Sequence, residues 1–219
     1  MSFILSQVTH TGIIMSADHC CVATSTDGVF HVITSNSVEK LFITPHDIGI
    51  SHGHQAKINN MPVERYINNF LWALDIEKHK TPLEVAQALM DYFRGIDPAA
   101  DIVFHVAGYV TNGKTHPAPY LYELSTNNNE IKLVNSQETV PSLAYACANK
   151  FPRAIFPFVG NKLNDFTMQE AVDFAIFITD VTRKVMELSG TGGGISKDID
   201  ILAIYPDHHE WVNKMQLHI

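Results

Sequence analysis

The chain has 219 residues, 46% of them hydrophobic, and a formal net charge of −8 from 15 Lys and Arg against 23 Asp and Glu. That is enough apolar material for one large core, so a single domain over residues 1–219 is expected. The acidic balance argues against nucleic acid or an anionic membrane as partner. No run reaches the roughly 18 apolar residues of a spanning helix, and no basic segment precedes the first apolar stretch as in a secretory leader.

The first fifty residues read as short strands at 3–8, 12–17, 20–23, 29–33 and 40–43, separated by turn residues. Asp27-Gly28, both tolerant of positive φ, mark a hairpin between the third and fourth. Strands crowded so closely predict an antiparallel sheet. Helices are predicted over 62–77, where Tyr66, Ile67, Phe70, Leu71, Ala73 and Leu74 recur at helical spacing, and over 81–95. The second opens on Thr81-Pro82-Leu83-Glu84, a capping box with Pro at the first helical position. Strands resume at 102–109, 120–124 and 131–134, with Asn127-Asn128-Asn129 as the turn between the last two. A short helix is predicted at 142–150. The helix over 167–189 starts with a second capping box, Thr167-Met168-Gln169-Glu170, and its apolar positions require cover on more than one side. Gly192-Gly193-Gly194 turns the chain into a last strand at 199–205; lying after a helix and before a strand, it has the reverse order of a phosphate loop.

This order predicts an α+β fold, a four-layer αββα sandwich in which two facing antiparallel sheets are each covered by helices. The helices are too apolar to lie on a single sheet with solvent behind them.

Ser2 opens the first strand. With the initiator Met removed, its α-amino group lies within reach of its own hydroxyl, so one residue supplies nucleophile and base. The second strand ends Ile13-Ile14-Met15-Ser16-Ala17-Asp18, and Val38-Glu39-Lys40-Leu41-Phe42-Ile43 sets a lysine directly before an apolar strand. This layout resembles the proteasome-type β subunits of the N-terminal-nucleophile hydrolase superfamily, in which a nucleophilic Thr opens a strand, a second strand ends in Ala-Asp, and a Lys precedes a later one. Counted from Ser2, Asp18 falls on the family's Asp without insertion, and Lys40 follows a hairpin longer than the family's. Ile48-Gly49-Ile50-Ser51-His52-Gly53 matches the strand leading to the oxyanion glycine.

The resemblance implies hydrolysis of an amide or peptide bond without cofactor or metal, in a cytoplasmic homo-oligomer larger than a dimer. It leaves the substrate, ring size and any ATPase partner open. It casts Ser2 as nucleophile and Lys40 as the cation that keeps the amine neutral and activates the hydroxyl. Asp18 would pair with Lys40, and the Gly53 N–H would face the oxyanion. The family's supporting Asp and Ser would correspond to Glu187, Ser189 and Thr191 ahead of the glycine run, with Ser142 for a further Ser. Ser2 stands where the family has Thr, and Cys20 where it has Arg. A catalytically silent scaffold of the same fold is the competing reading.

Twelve histidines are an excess. His52 and His54 alternate on a strand and could share a metal or face a substrate, and Asp207-His208-His209-Glu210 is a second cluster. Neither has a third ligand at motif spacing, so substrate contact by His52 or His54 is favoured over metal binding. The three cysteines, two of them adjacent at Cys20-Cys21, form no disulfide framework. Adjacent strand residues point to opposite faces, so Cys20 and Cys21 are expected to be buried structural residues and not partners of His19. Phe70, Trp72 and Phe177 are expected on outer helix faces, as an interface.

Overall fold

The computed structural model describes residues 2–24, 31–75, 77–111, 116–135, 142–147, 152, 155, 165–189 and 194–214. The Asp27-Gly28 turn and Thr191-Gly192-Gly193 lie outside them.

Strands β1 (Phe3–Val8) and β2 (Ile13–Asp18) form a hairpin closed by Thr9, whose N–H donates to the Gly12 carbonyl at 2.8 Å. β12 (Ser142–Cys147) pairs with the outer side of β1, and β13 (Ile199–Ile204) with β2. With β14 (His209–Asn213) the first sheet runs β12-β1-β2-β13-β14. The second runs β11 (Glu130–Leu133), β10 (Ala118–Ser125), β9 (Ile102–Val110), β6 (Gly49–His54), β5 (Leu41–Ile43). All pairings in both are antiparallel.

Strand alternation sends each face to a different core. In β1, Ile4 and Val8 meet Met15, Leu41, Ala107, Leu121 and Leu202, a cluster drawn from both sheets, whereas Phe3 and Leu5 meet Phe174, Ala175 and Ile178 of a helix. That helix is α3 (Met168–Leu188), started by the expected capping box. The second sheet turns Ile50, Phe104, Val106 and Leu124 toward α1 (Val63–Ala73) and α2 (Pro82–Ile96), where Val85, Leu89 and Phe93 receive them. The sheets meet closely at Gly49, where a Cβ would collide with Met15 Sδ and stand 2.9 Å from Ile204 Cδ1.

Several expectations are corrected. The early strands do not form one sheet: β1 and β2 belong to the first, β5 to the second, and β3 (Cys21–Thr24) with β4 (His31–Ser35) forms a separate two-stranded ribbon. Residues 142–147 are strand, not helix. Leu143, Tyr145 and Cys147 face α3 while Ala144 and Ala146 face the other sheet, a period of two that the alanines disguise as helix propensity. α1 stops at Ala73, because Leu74 is extended. β14 arises from a segment read only as a histidine cluster. On the second side of α3, Ile176 and Phe177 are about half exposed, so the described residues do not cover it as expected. Phe70 points into the α1–α2 core, so of the three expected outward aromatics only Trp72 and Phe177 are exposed.

Candidate functional site

The start of β1, the end of β2, the residue before β5 and the end of β6 come together at one edge of the facing sheets. At their centre is a buried ion pair: Lys40 Nζ lies 2.7 Å from Asp18 Oδ1, with both side chains almost wholly removed from solvent. Such a pair is tolerable only when the remaining lone pairs and protons are satisfied. Asp18 Oδ1 also accepts the Phe3 N–H at 2.8 Å, and Oδ2 accepts those of Cys20 at 2.8 Å and Ser196 at 3.3 Å. Lys40 gives a second hydrogen bond to the Cys20 carbonyl at 2.5 Å.

Ser2 is buried directly before the Phe3 amide that Asp18 holds. It faces Gly53: a Cβ built there would stand 3.7 Å from Ser2 Cβ, in ordinary contact. Ser2, Asp18, Lys40 and Gly53 therefore share one neighbourhood.

The Gly53 N–H, however, runs the other way. On β6 the His52 N–H donates to the Lys40 carbonyl, and beyond the strand the Gln55 N–H donates to the Asp101 carbonyl. Hydrogen-bonded pairs alternate along an antiparallel ladder, so the register Gly53↔Val103 directs the Gly53 amide toward β9. The next amide on the Lys40 side belongs to His54, whose φ of 69° bends the chain there.

The residue that reaches Asp18 from the C-terminal part of the chain is Ser196, beyond the glycine run. Its amide reaches Asp18, its Oγ accepts the His19 N–H at 2.8 Å, and its hydroxyl donates to the Asp198 carbonyl. Glu187 is instead paired with Arg183, and Ser189 Oγ donates to the Met186 carbonyl at the helix end. Thr191 lies outside the described residues, and Ser142 sits at the far end of β1, opposite Val8.

Two buried histidines flank the pair, and neither was expected in that role. His19 Nδ1 lies 3.3 Å from the Val38 carbonyl, and its Nε2 sits 3.2 Å from Asp200 Oδ1, an ion-pair contact outside hydrogen-bond alignment. His52 Nε2 lies 3.3 Å from the Glu39 carbonyl, with the ring stacked on Phe42 and tilted against Phe104. His52 therefore points away from Gly53 into the helix-side core, which corrects the expectation of substrate contact or a metal shared with His54. His54 is exposed, 3.6 Å from Asp101. Near the C-terminus, His208 pairs with Asp207 and Glu210, and His209 with Asp47. No group of three metal-ligating side chains occurs among the described residues. Cys20 and Cys21 are buried as expected, Cys20 Sγ lying 3.5 Å from Asn36 Oδ1.

Between the sheets lies a line that imitates a hydrolase triad: Ser6 Oγ is 2.9 Å from His105 Nδ1, and His105 Nε2 is 3.9 Å from Glu123 Oε2. Ser6 and His105 have no exposed surface, and burial pushes His105 down to about 3, so it is neither reachable by substrate nor a useful base near neutrality.

These imidazoles give a pH prediction. Burial, aided by the Lys40 charge, also holds His52 down at about 3. Between pH 3 and about 6.5 the unfolded chain binds the protons that folded His52 and His105 refuse, so stability falls as pH drops through that window. His19 has the opposite sign. Burial alone would lower it, but the Asp200 carboxylate and the Val38 carbonyl raise it, so its contribution is complete below about pH 6.5 and fades as pH rises through its folded value. Urea unfolding from pH 6.5 downward should lose about 1.4 kcal/mol per pH unit for each neutral buried histidine. His105→Leu should flatten that slope by one proton.

No protein-family model matches the chain, and no curated protein matches it. Solved structures do. Anbu from Hyphomicrobium sp. strain MC1 superposes with a TM-score of 0.70 at 12% identity, over 96% of this chain and 85% of that one. A mutant of the same protein gives 0.69 at 14% identity, over 97% and 87%. Anbu from Yersinia bercovieri, described as an ancestral β-subunit, gives 0.68 at 13% identity, over 99% and 89%. The likeness shows a proteasome-like fold; at such identities it shows the fold alone.

Proposed function

We propose that this chain is an N-terminal-nucleophile amide or peptide hydrolase acting through Ser2 once Met1 is removed. The facing sheets with helices on either side are read as one domain with the αββα sandwich of that superfamily. The observation that carries the reading is the buried Asp18–Lys40 pair beside Ser2. A fully satisfied carboxylate fixes an ammonium whose two bonds, to Asp18 and Cys20, leave a third proton for the Ser2 hydroxyl and amine.

In the reaction, the free α-amine takes the Ser2 hydroxyl proton as Oγ attacks the substrate carbonyl carbon. The Lys40 charge, fixed by Asp18, favours the neutral amine and the developing alkoxide. A backbone amide stabilises the oxyanion. By strand parity that donor is the His54 N–H, while Gly53 lies directly against Ser2, where an added Cβ would be in ordinary contact. The protonated amine passes its proton to the leaving nitrogen as the amide C–N bond breaks. Water then attacks the ester carbonyl and frees Ser2.

The test is a serine-directed acylating probe on protein whose intact mass shows Met1 removed. The label should map to Ser2, and Ser2→Thr should keep it. If the processed protein resists such probes, the catalytically silent scaffold takes the place of this reading. We also propose a homo-oligomer larger than a dimer, supported by Trp72, Ile176 and Phe177 exposed on helix faces. Light scattering at micromolar concentration should report it.

A further inference from the structure

We propose that His19 and His52 form a paired clasp that positions Lys40, each imidazole gripping one of the two carbonyls that immediately precede it. The proposal rests on the Ser2 hydrolase reading for its catalytic consequence, but the clasp itself is a matter of geometry.

A carbonyl oxygen only accepts, so each ring nitrogen facing one must carry the proton. His19 thereby carries a proton at Nδ1 toward Val38 at 3.3 Å, whatever its Nε2 holds toward Asp200, and His52 carries one at Nε2 toward Glu39 at 3.3 Å. Each histidine grips the same segment a second time through its backbone. The Val38 N–H donates to the His19 carbonyl at 3.1 Å, and the His52 N–H donates to the Lys40 carbonyl at 3.0 Å. Residues 38–40 are thus held from both sides by four bonds, two from each histidine.

The two anchors are not arbitrary points. His19 follows Asp18, the partner of Lys40, and its ring faces Asp200 on β13. His52 precedes Gly53 and is wedged between Phe42 and Phe104. Both are only 2% exposed. Since β5 begins at Leu41, Lys40 stands where the β5–β6 ladder ends, and its direction needs a constraint beyond the one ladder bond from His52. The clasp supplies that constraint. His19 and His52 are positioning residues: nothing in the geometry brings either ring to the reacting atoms.

The experiment uses the processed full chain. Nitrogen-15 imidazole spectra at neutral pH should show His19 protonated at Nδ1 and His52 protonated at Nε2 with a bare Nδ1. A bare Nδ1 at His19, or a bare Nε2 at His52, overturns the clasp without any substitution being made. In parallel, acylation of Ser2 is timed in His19→Leu and His52→Leu, which remove the donors, and in His19→Asn and His52→Gln, whose amide nitrogens stand near the lost Nδ1 and Nε2. The leucine variants should acylate about ten- to a hundredfold more slowly, the range expected when a functional group is displaced by about an ångström. The amide variants should recover close to the wild-type rate.

Folded leucine variants that acylate like wild type, or amide variants as slow as the leucine ones, overturn the proposal. Should the leucine variants fail to fold, the tautomers and the amide variants decide it. Wild-type protein that resists the probe while showing both expected tautomers overturns the Ser2 reading and leaves the clasp standing.

Discussion

Lys40→Ala should slow acylation of Ser2 by about 10²–10⁴-fold, the usual contribution of an acid–base group to a reacting centre. The expectation follows from how little else is charged there. Asp18 is already saturated by three backbone amides besides Lys40, so it offers the nucleophile no direct help. Lys40 is the cation held next to it, and on the proposed mechanism removing it takes away the charge that keeps the Ser2 amine neutral. Lys40→Arg should not rescue, because a larger planar guanidinium cannot reproduce the two bonds of a compact ammonium at a buried position. The rate of label incorporation, read by mass spectrometry on protein of unchanged circular dichroism, checks both variants. An alanine variant that acylates at the wild-type rate removes Lys40 from the mechanism.

Asp18→Asn should lower the unfolding free energy by about 3–5 kcal/mol, the cost of breaking a buried pair by removing one partner. An amide has one acceptor oxygen where the carboxylate has two, and its NH₂ would face amide donors. Either orientation leaves donors among Phe3, Cys20, Ser196 and Lys40 unmet, and the ammonium stays buried without a counter-charge. Lys40→Met should cost less, because the carboxylate it strands keeps three backbone N–H partners. The order of the two unfolding midpoints in urea is the check. If Lys40→Met proves the more damaging, the backbone amides do not sustain the Asp18 charge as argued.

Much of the centre was legible because its signals are local. A Ser directly ahead of the first strand, an Ala-Asp strand end and a Lys before an apolar strand each occupy a few consecutive positions, and Asp18 and Lys40 do meet. What the sequence hid is mostly long-range. Ser196 reaches Asp18 across 178 positions, and no spacing rule announces such a partner. His52 read as a substrate contact and His19 was given no role, since nothing in their surroundings says which carbonyl a ring will meet. The Gly53 assignment failed on parity: the residue faces Ser2, but its N–H follows the ladder to β9. The strand at 142–147 was missed because alanine suits a helix and small inter-sheet gaps equally, and pairing with β1 decided between them.

The four partners of Asp18 come from residues 3, 20, 40 and 196. Joining the first of these to the last closes a loop nearly as long as the chain, and contacts of such separation form late in folding. A chain still emerging from the ribosome therefore carries Ser2 for most of its synthesis without the surroundings that would activate it. During refolding, reactivity at Ser2 should rise only when β13 docks beside β2, well after helical signal has returned. On the proposed Ser2 mechanism, competence for chemistry thereby waits until β13 has joined β2.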